Sequence, residues 1–151
     1  VLEDYYLEHI VLCLSDGLLA QCGIDLDTHR GEIAAGNLSA LRGCPFVLGS
    51  AEDIGGRIGR GLLRSSGVSP VSKATSENVE TLLALCEQGV GACFCPENLL
   101  HTALSPAQLA HLHILPLCPE ASYPICFGYL SRSYPWSVLS EFIRIAREQT
   151  A

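Results

Sequence analysis

The sequence predicts an α/β domain with a mostly parallel sheet and helices on both of its faces. Strand-like apolar runs alternate with helical patterns from Pro45 to Glu148. Leu7–Leu14 is almost continuously apolar, as suits a strand covered on both sides. Strands alternating with helices imply a largely parallel sheet with helices on both faces.

Leu7–Leu14 is the first strand. From Ser15 to Gly43 the signal is weak, and one short helix is predicted at Gly36–Arg42, capped by Asn37 and closed by Gly43. Pro45–Gly49 is a short apolar strand. Ser50 and Asp53, three apart as in a capping box, precede a helix to about Ser66, stopped by Gly67. Its apolar stripe is Ile54, Ile58 and Leu62, with Leu63 beside it. Val68–Thr75 is the next strand. Ser76 caps the helix that follows, Glu77 and Glu80 favour the positive end of its dipole, and Gly89 ends it. Val79, Leu82, Leu83, Cys86 and Val90 form its buried stripe. Gly91–Cys95 is a strand halted by Pro96, and Ser105, Pro106 and Gln108 open another short helix. Leu112–Leu117 and Tyr123–Leu130 are strands. Ser137–Glu148 is a final amphipathic helix with Val138, Leu139, Phe142, Ile145 and Ala146 on one side.

The 151 residues include 48% hydrophobic and 17% charged side chains, a globular balance. No apolar run is long enough to cross a bilayer, so no membrane partner is expected. Val1–Tyr6 carries two acids and no basic region, unlike a secretory leader. A net charge of −7, with Lys73 the single lysine, repels phosphate backbones and opposes DNA binding by this segment. The eight cysteines are irregularly spaced and several fall in apolar strands, which favours reduced core thiols in a cytoplasmic protein over a disulfide framework.

Motifs for catalysis or cofactor binding fail on inspection. Ile54–Arg60 imitates a dinucleotide-binding loop, but its first glycine position is Ile54, it does not directly follow a strand, and Glu52 and Asp53 oppose a pyrophosphate. Cys93-x-Cys95 and His111-x-His113 each place two ligand-type residues on one side of a strand without zinc-site spacing. There is no Gly-x-Ser-x-Gly elbow. No catalytic residue, metal or cofactor is therefore expected. The positive signal lies where strands end and helices begin: Ser50, Thr75 with Ser76, and Cys95–Pro96. In an open parallel sheet these carboxyl ends line the crevice for small ligands, and helix N-termini suit an anion.

Several stretches together resemble the effector-binding domain of LysR-type transcriptional regulators. They are the strand opening on Pro45-Phe46, the helix after it with spaced arginines and leucines, Thr75-Ser76-Glu77-Asn78-Val79-Glu80, Gly89-Val90-Gly91 leading to Pro96-Glu97, and the closing strand and helix. The resemblance runs from about Leu7 to Glu148. It implies a two-lobed, periplasmic-binding-protein-like fold: residues 1–14 part of the first lobe and a crossing strand, 15–118 a complete second lobe, and 119–151 the returning strand and last helix of a partial first lobe. It implies a ligand-sensing, non-enzymatic domain that binds a small anionic effector between its lobes. DNA would be reached only through an N-terminal helix-turn-helix outside this sequence. Effector-binding candidates are Ser50, Thr75, Ser76, Cys95, Pro96 and, for the cleft wall, Tyr6; in LysR-type relatives residues matching Thr75 contact effector.

A homodimer is also expected. The strand near Val68–Lys73 should lie at a sheet edge, partly blunted by Pro70 and Lys73. The neighbouring helix offers Ile58 and Leu62, with Gly55, Gly56, Gly59 and Gly61 leaving a smooth surface for close approach. The rival readings are a secreted solute-binding protein, which shares the two-lobed fold, and a nicotinamide-dependent oxidoreductase.

Overall fold

Strand β1, Leu2–Ser15, is longer than the apolar run that announces it. The computed structural model describes residues 1–130 and 136–149. Its contacts divide the chain into a smaller unit, residues 1–8 with 122–151, and a larger one, residues 9–121. Part of the expected segment 119–151, namely 131–135 and 150–151, lies outside the described residues.

In the larger unit the second half of β1 lies between two strands. β4 (Cys93–Pro96) pairs with it from Ile10–Pro96 to Cys13–Cys93, and β5 (Leu112–Pro116) from Val11–Pro116 to Ser15–Leu112. β2 (Pro45–Leu48) and β3 (Val71–Thr75) form a parallel pair. Ala92 joins the two ladders: its N–H donates to Pro45 O and its carbonyl accepts from Val47 N, both at 2.9 Å. The order is thus β3-β2-β4-β1-β5. Four of these strands share a direction, as the alternation of strand and helix predicts. β1 runs against them, making both of its ladders antiparallel. Alternation cannot show this, because strand direction is set by the partners a strand pairs with and not by its own residues.

Period-2 patterning sorts the sheet into two faces. Val11, Cys13, Val47, Cys93 and Cys95 share one core with Leu82, Leu83 and Cys86 of α4 (Val79–Glu87) and Leu100 of α5 (Glu97–Ala103). The intervening residues Ile10, Leu12, Leu14, Phe46, Leu48 and Phe94 are buried on the opposite face, where α3 (Ile54–Ser65) lies against Phe94 and Ile10. Val90, expected in the α4 stripe, falls beyond the helix and is exposed.

Between Ser15 and Gly43 the chain forms two helices that the sequence signal missed. In α1 (Asp16–Cys22) Ser15 Oγ accepts from Leu18 N at 3.2 Å and Gly23 closes the helix at φ 65°. α2 (Leu26–Ala34) buries only Leu26 and Ile33, too thin a stripe to register as a period. The helix expected at Gly36–Arg42 is a single 3₁₀ turn, Ser39–Leu41. Pro96 does halt β4, but it also occupies the N-cap position of α5, without a side-chain cap. α6 (Pro106–Leu109) carries the expected capping box between Ser105 and Gln108.

In the smaller unit, β6 (Ser122–Gly128) pairs with β1. Val1 and Tyr129 exchange both backbone hydrogen bonds, at 2.7 and 3.0 Å, as an antiparallel pair does. α7 (Ser137–Glu148) has the expected limits but a different buried face. Ile143 is its buried residue, whereas Val138, Phe142 and Ile145 are 75%, 58% and 46% exposed. Tyr5 attaches the helix by donating to Ala146 O at 3.0 Å, and Arg147 pairs with Glu3 at 3.0 Å.

The expected roles of the α3 glycines are also reversed. Gly55, Gly56 and Gly59 are buried with Leu63 on the face toward the sheet, leaving Ile58 and Leu62 half-buried and Ile54 exposed. A Cβ on Gly59 would stand 2.3 Å from the Phe94 ring, and one on Gly56 2.2 Å from Ser50 O. The glycines are where this chain's own sheet comes close, and only Gly61 faces open space. Gly59→Ala should therefore lower stability by about 1–3 kcal/mol through overpacking. Gly61→Ala, in the same helix with nothing within 4 Å, should raise it by about 0.5–1 kcal/mol. Urea denaturation of the two variants checks the opposite signs.

Candidate functional site

Parallel β2, β3 and β4 end at one edge of the larger unit. Leu48 is in register with Thr75, and Ser76 N donates to Leu48 O at 3.2 Å, so the last residues of β2 and β3 are tied together. Ser50, Thr75 and Ser76 therefore share this edge with Pro96, the last residue of β4.

Their side chains differ in availability. Ser50, half-buried, accepts from the N–H groups of Glu52 and Asp53, both at 3.3 Å, which folds the loop into α3. Asp53, and not Ser50, caps that helix, its Oδ2 accepting from Gly56 N at 2.9 Å. Asn78, and not Ser76, caps α4, its Oδ1 accepting from Thr81 N at 2.9 Å. Ser76 Oγ turns back on the loop and accepts from Asn78 N at 3.1 Å. The sequence did carry signals for both true caps, since Asp and Asn are favoured there, but a nearby serine was an equally good candidate. Thr75 is exposed, and its hydroxyl makes no hydrogen bond among the described residues. Cys95 reaches the edge only with its backbone. Its fully buried thiol faces Cys13 Sγ at 3.6 Å, so it cannot meet a ligand there.

Tyr6 belongs to the smaller unit. Its hydroxyl donates to Glu8 at 3.3 Å, and its ring meets Tyr5 edge-on at 5.0 Å. Pro70 lies at the other end of β3, in a cavity of about 400 Å³ that it lines with Arg60, Arg64, Gly67, Val68 and Ser69. Arg60 spans from α3 to Gly49 O at 2.9 Å, a contact that no sequence pattern announces.

Cys93 and Cys95 are buried in the core, and His113 pairs with Asp16 at 2.6 Å. Among the described residues, no three His, Cys, Asp or Glu side chains are placed to hold a metal ion. No described helix is long and apolar enough to cross a membrane.

A family model described as the LysR substrate binding domain matches residues 3–151. The chain belongs to the LysR substrate binding domain family. Sequence comparison with curated proteins gives no match. The fold is similar to the regulatory domain of CcmR from Synechocystis PCC6803, solved in complex with 2-PG, with a TM-score of 0.71 at 12% identity. That match covers 99% of this chain and 66% of the other. The effector binding domain of QuiR, solved in complex with shikimate, matches with a TM-score of 0.65 at 11% identity, over 99% of this chain and 64% of the other. HinK, a LysR family transcriptional regulator from Pseudomonas aeruginosa, matches with a TM-score of 0.69 at 16% identity, over 99% of this chain and 48% of HinK. The chain thus spans about two thirds of these regulatory domains and about half of HinK.

The caps and the strand-end hydroxyls of this LysR-family domain have separable energetic roles. Asp53→Ala removes the α3 cap and should cost about 1 kcal/mol of stability. Thr75→Val should change stability by less than ~0.5 kcal/mol, because its hydroxyl bonds to nothing in the fold. Chemical denaturation of both variants measures the difference.

Proposed function

We propose that this chain is the ligand-sensing part of a cytoplasmic LysR-type transcription factor and that it binds a small anionic effector at the edge formed by Ser50, Thr75, Ser76 and Pro96. The observation that carries this reading is Thr75, an exposed hydroxyl without an internal partner at the end of a parallel strand. A hydroxyl that the fold does not use, at the edge where open α/β sheets take their ligands, is available to donate to and accept from a bound molecule. The complexes of CcmR with 2-PG and QuiR with shikimate support a small polar effector. Two helix N-termini and Arg57 on the first turn of α3 favour an anion there, while Glu52, Asp53 and Glu77 oppose a highly charged one.

A thermal-shift screen of carboxylates and phosphate esters on the full-length regulator tests this reading, since a ligand of the native state raises the melting temperature. Thr75→Phe should remove the shift given by any hit while leaving the unliganded melting temperature unchanged. A retained shift places the effector elsewhere.

Binding would act on a DNA-binding segment outside this chain, by favouring one of two conformational states. The regulator would function as a homodimer through the Ile58, Leu62 and Pro70 region. In support, Ile54 is 38% exposed, Ile58 and Leu62 are only half-buried, and β3 pairs on one side alone among the described residues. Ile58→Glu should shift the full-length protein toward monomer in sedimentation velocity; an unchanged dimer would reject this interface.

A further inference from the structure

Two of the cysteine contacts in the larger unit differ in one decisive respect. Cys13 and Cys95 have their sulfurs 3.6 Å apart, and both residues are sealed in the core. Cys22 and Cys44 have their sulfurs 3.7 Å apart, but only Cys44 is sealed, at 2% exposure. Cys22, the last residue of α1, is half-buried, so solvent reaches one member of this pair. Gly23 turns the chain away from α1 immediately after Cys22, and Cys44 directly precedes β2.

We propose that Cys22 and Cys44 form a reversible disulfide when the protein meets a peroxide, a modification that ties the end of α1 to the start of β2. The sulfurs are at contact distance, and closing to roughly 2.05 Å requires an approach of about 1.6 Å, within reach of side-chain rotation and small backbone shifts. Burial, with the neighbouring Cys22 as a lesser cause, pushes the Cys44 thiol up to about 12, so Cys44 stays protonated at neutral pH and Cys22 is the attacking group. The Cys22 thiolate attacks one peroxide oxygen. An S–O bond forms, the O–O bond breaks, and the departing hydroxide takes a proton to become water. This leaves Cys22 as a sulfenic acid. The Cys44 sulfur then attacks the Cys22 sulfur, and the displaced hydroxide leaves as water with the Cys44 proton. Two thiols and one hydrogen peroxide give one disulfide and two waters. The closed loop encloses α2 and the 3₁₀ turn, and it fixes the start of the strand whose far end leads to Ser50.

The test treats the full-length reduced protein with hydrogen peroxide, blocks remaining thiols with N-ethylmaleimide, digests with trypsin and analyses the peptides by mass spectrometry. Arg30, Arg42 and Arg57 are cleavage sites, so the expected product joins the peptide ending at Arg30, with Cys13 and Cys22, to residues 43–57, with Cys44. Its mass is the sum of the two peptides less two hydrogens, and dithiothreitol separates them. Fragmentation of the wild-type product locates the bond at Cys22, so the result does not depend on any variant folding. Cys22→Ser should abolish the product. Cys44→Ser should instead leave a Cys22 sulfenic acid that dimedone traps. Loss of the free Cys22 thiol should exceed that of buried Cys13 by about tenfold. Absence of the linked pair, a bond located at Cys13, or a product surviving in Cys22→Ser would each overturn the proposal.

Discussion

Burial of β1 on both faces is the constraint on which the larger unit rests. Ile10, Leu12 and Leu14 project to one side and Val11 and Cys13 to the other, all essentially inaccessible to solvent. A strand with two apolar faces needs a helical layer on each, and its backbone needs partners along both edges. β4 and β5 supply the edges, while α3 and α4 lie on opposite sides of the sheet. Removing any of these layers would expose part of a strand that has no polar face to offer water. The interior position of β1 thus follows from its composition, even though its direction does not.

The distance of α3 from the sheet is set by a second constraint, the absence of side chains at Gly56 and Gly59. Phe94 fills the space at Gly59 and stacks on Phe46, with ring centroids 5.9 Å apart and planes inclined by 8°. Gly56 lets the helix start approach the Ser50 carbonyl. This close seat brings Asp53 under its own helix and Arg60 within reach of Gly49 O. It also decides which side chains stay outside. With glycines turned inward, Ile54, Ile58 and Leu62 are carried toward solvent, so the apolar stripe is incompletely used within the chain.

Cysteine contributes to the core through its small volume. Cys13, Cys86, Cys93 and Cys95 occupy the α4 and α5 side of the sheet among leucines and valines. Cys93 lowers the Cys13 thiol but Cys95 and burial outweigh it, and Cys13, Cys86, Cys95 and then burial raise Cys93, so both groups lie well above the ordinary thiol range, remain protonated and behave as small hydrophobes. The capped loops at the carboxyl edge are organised differently, by local hydrogen bonds at Ser50, Asp53, Ser76 and Asn78. Thr75 remains outside that bonding.

By itself the sequence determined the fold class, the apolar strand β1, the limits of α7, the capping box of α6 and the shared edge of Ser50, Thr75 and Ser76. These are local features: periodicity, cap chemistry and the order of strand and helix are written in neighbouring residues. Tertiary structure alone decided the direction of β1, the choice of Asp53 and Asn78 over Ser50 and Ser76 as caps, and the inward face of α3. It also decided that Cys95 points into the core and that Ile143, rather than Val138, Phe142 or Ile145, is the buried residue of α7. Each depends on what stands across from the residue, and a glycine facing a phenylalanine ring can outweigh an isoleucine stripe because backbone approach is limited by the nearest atom.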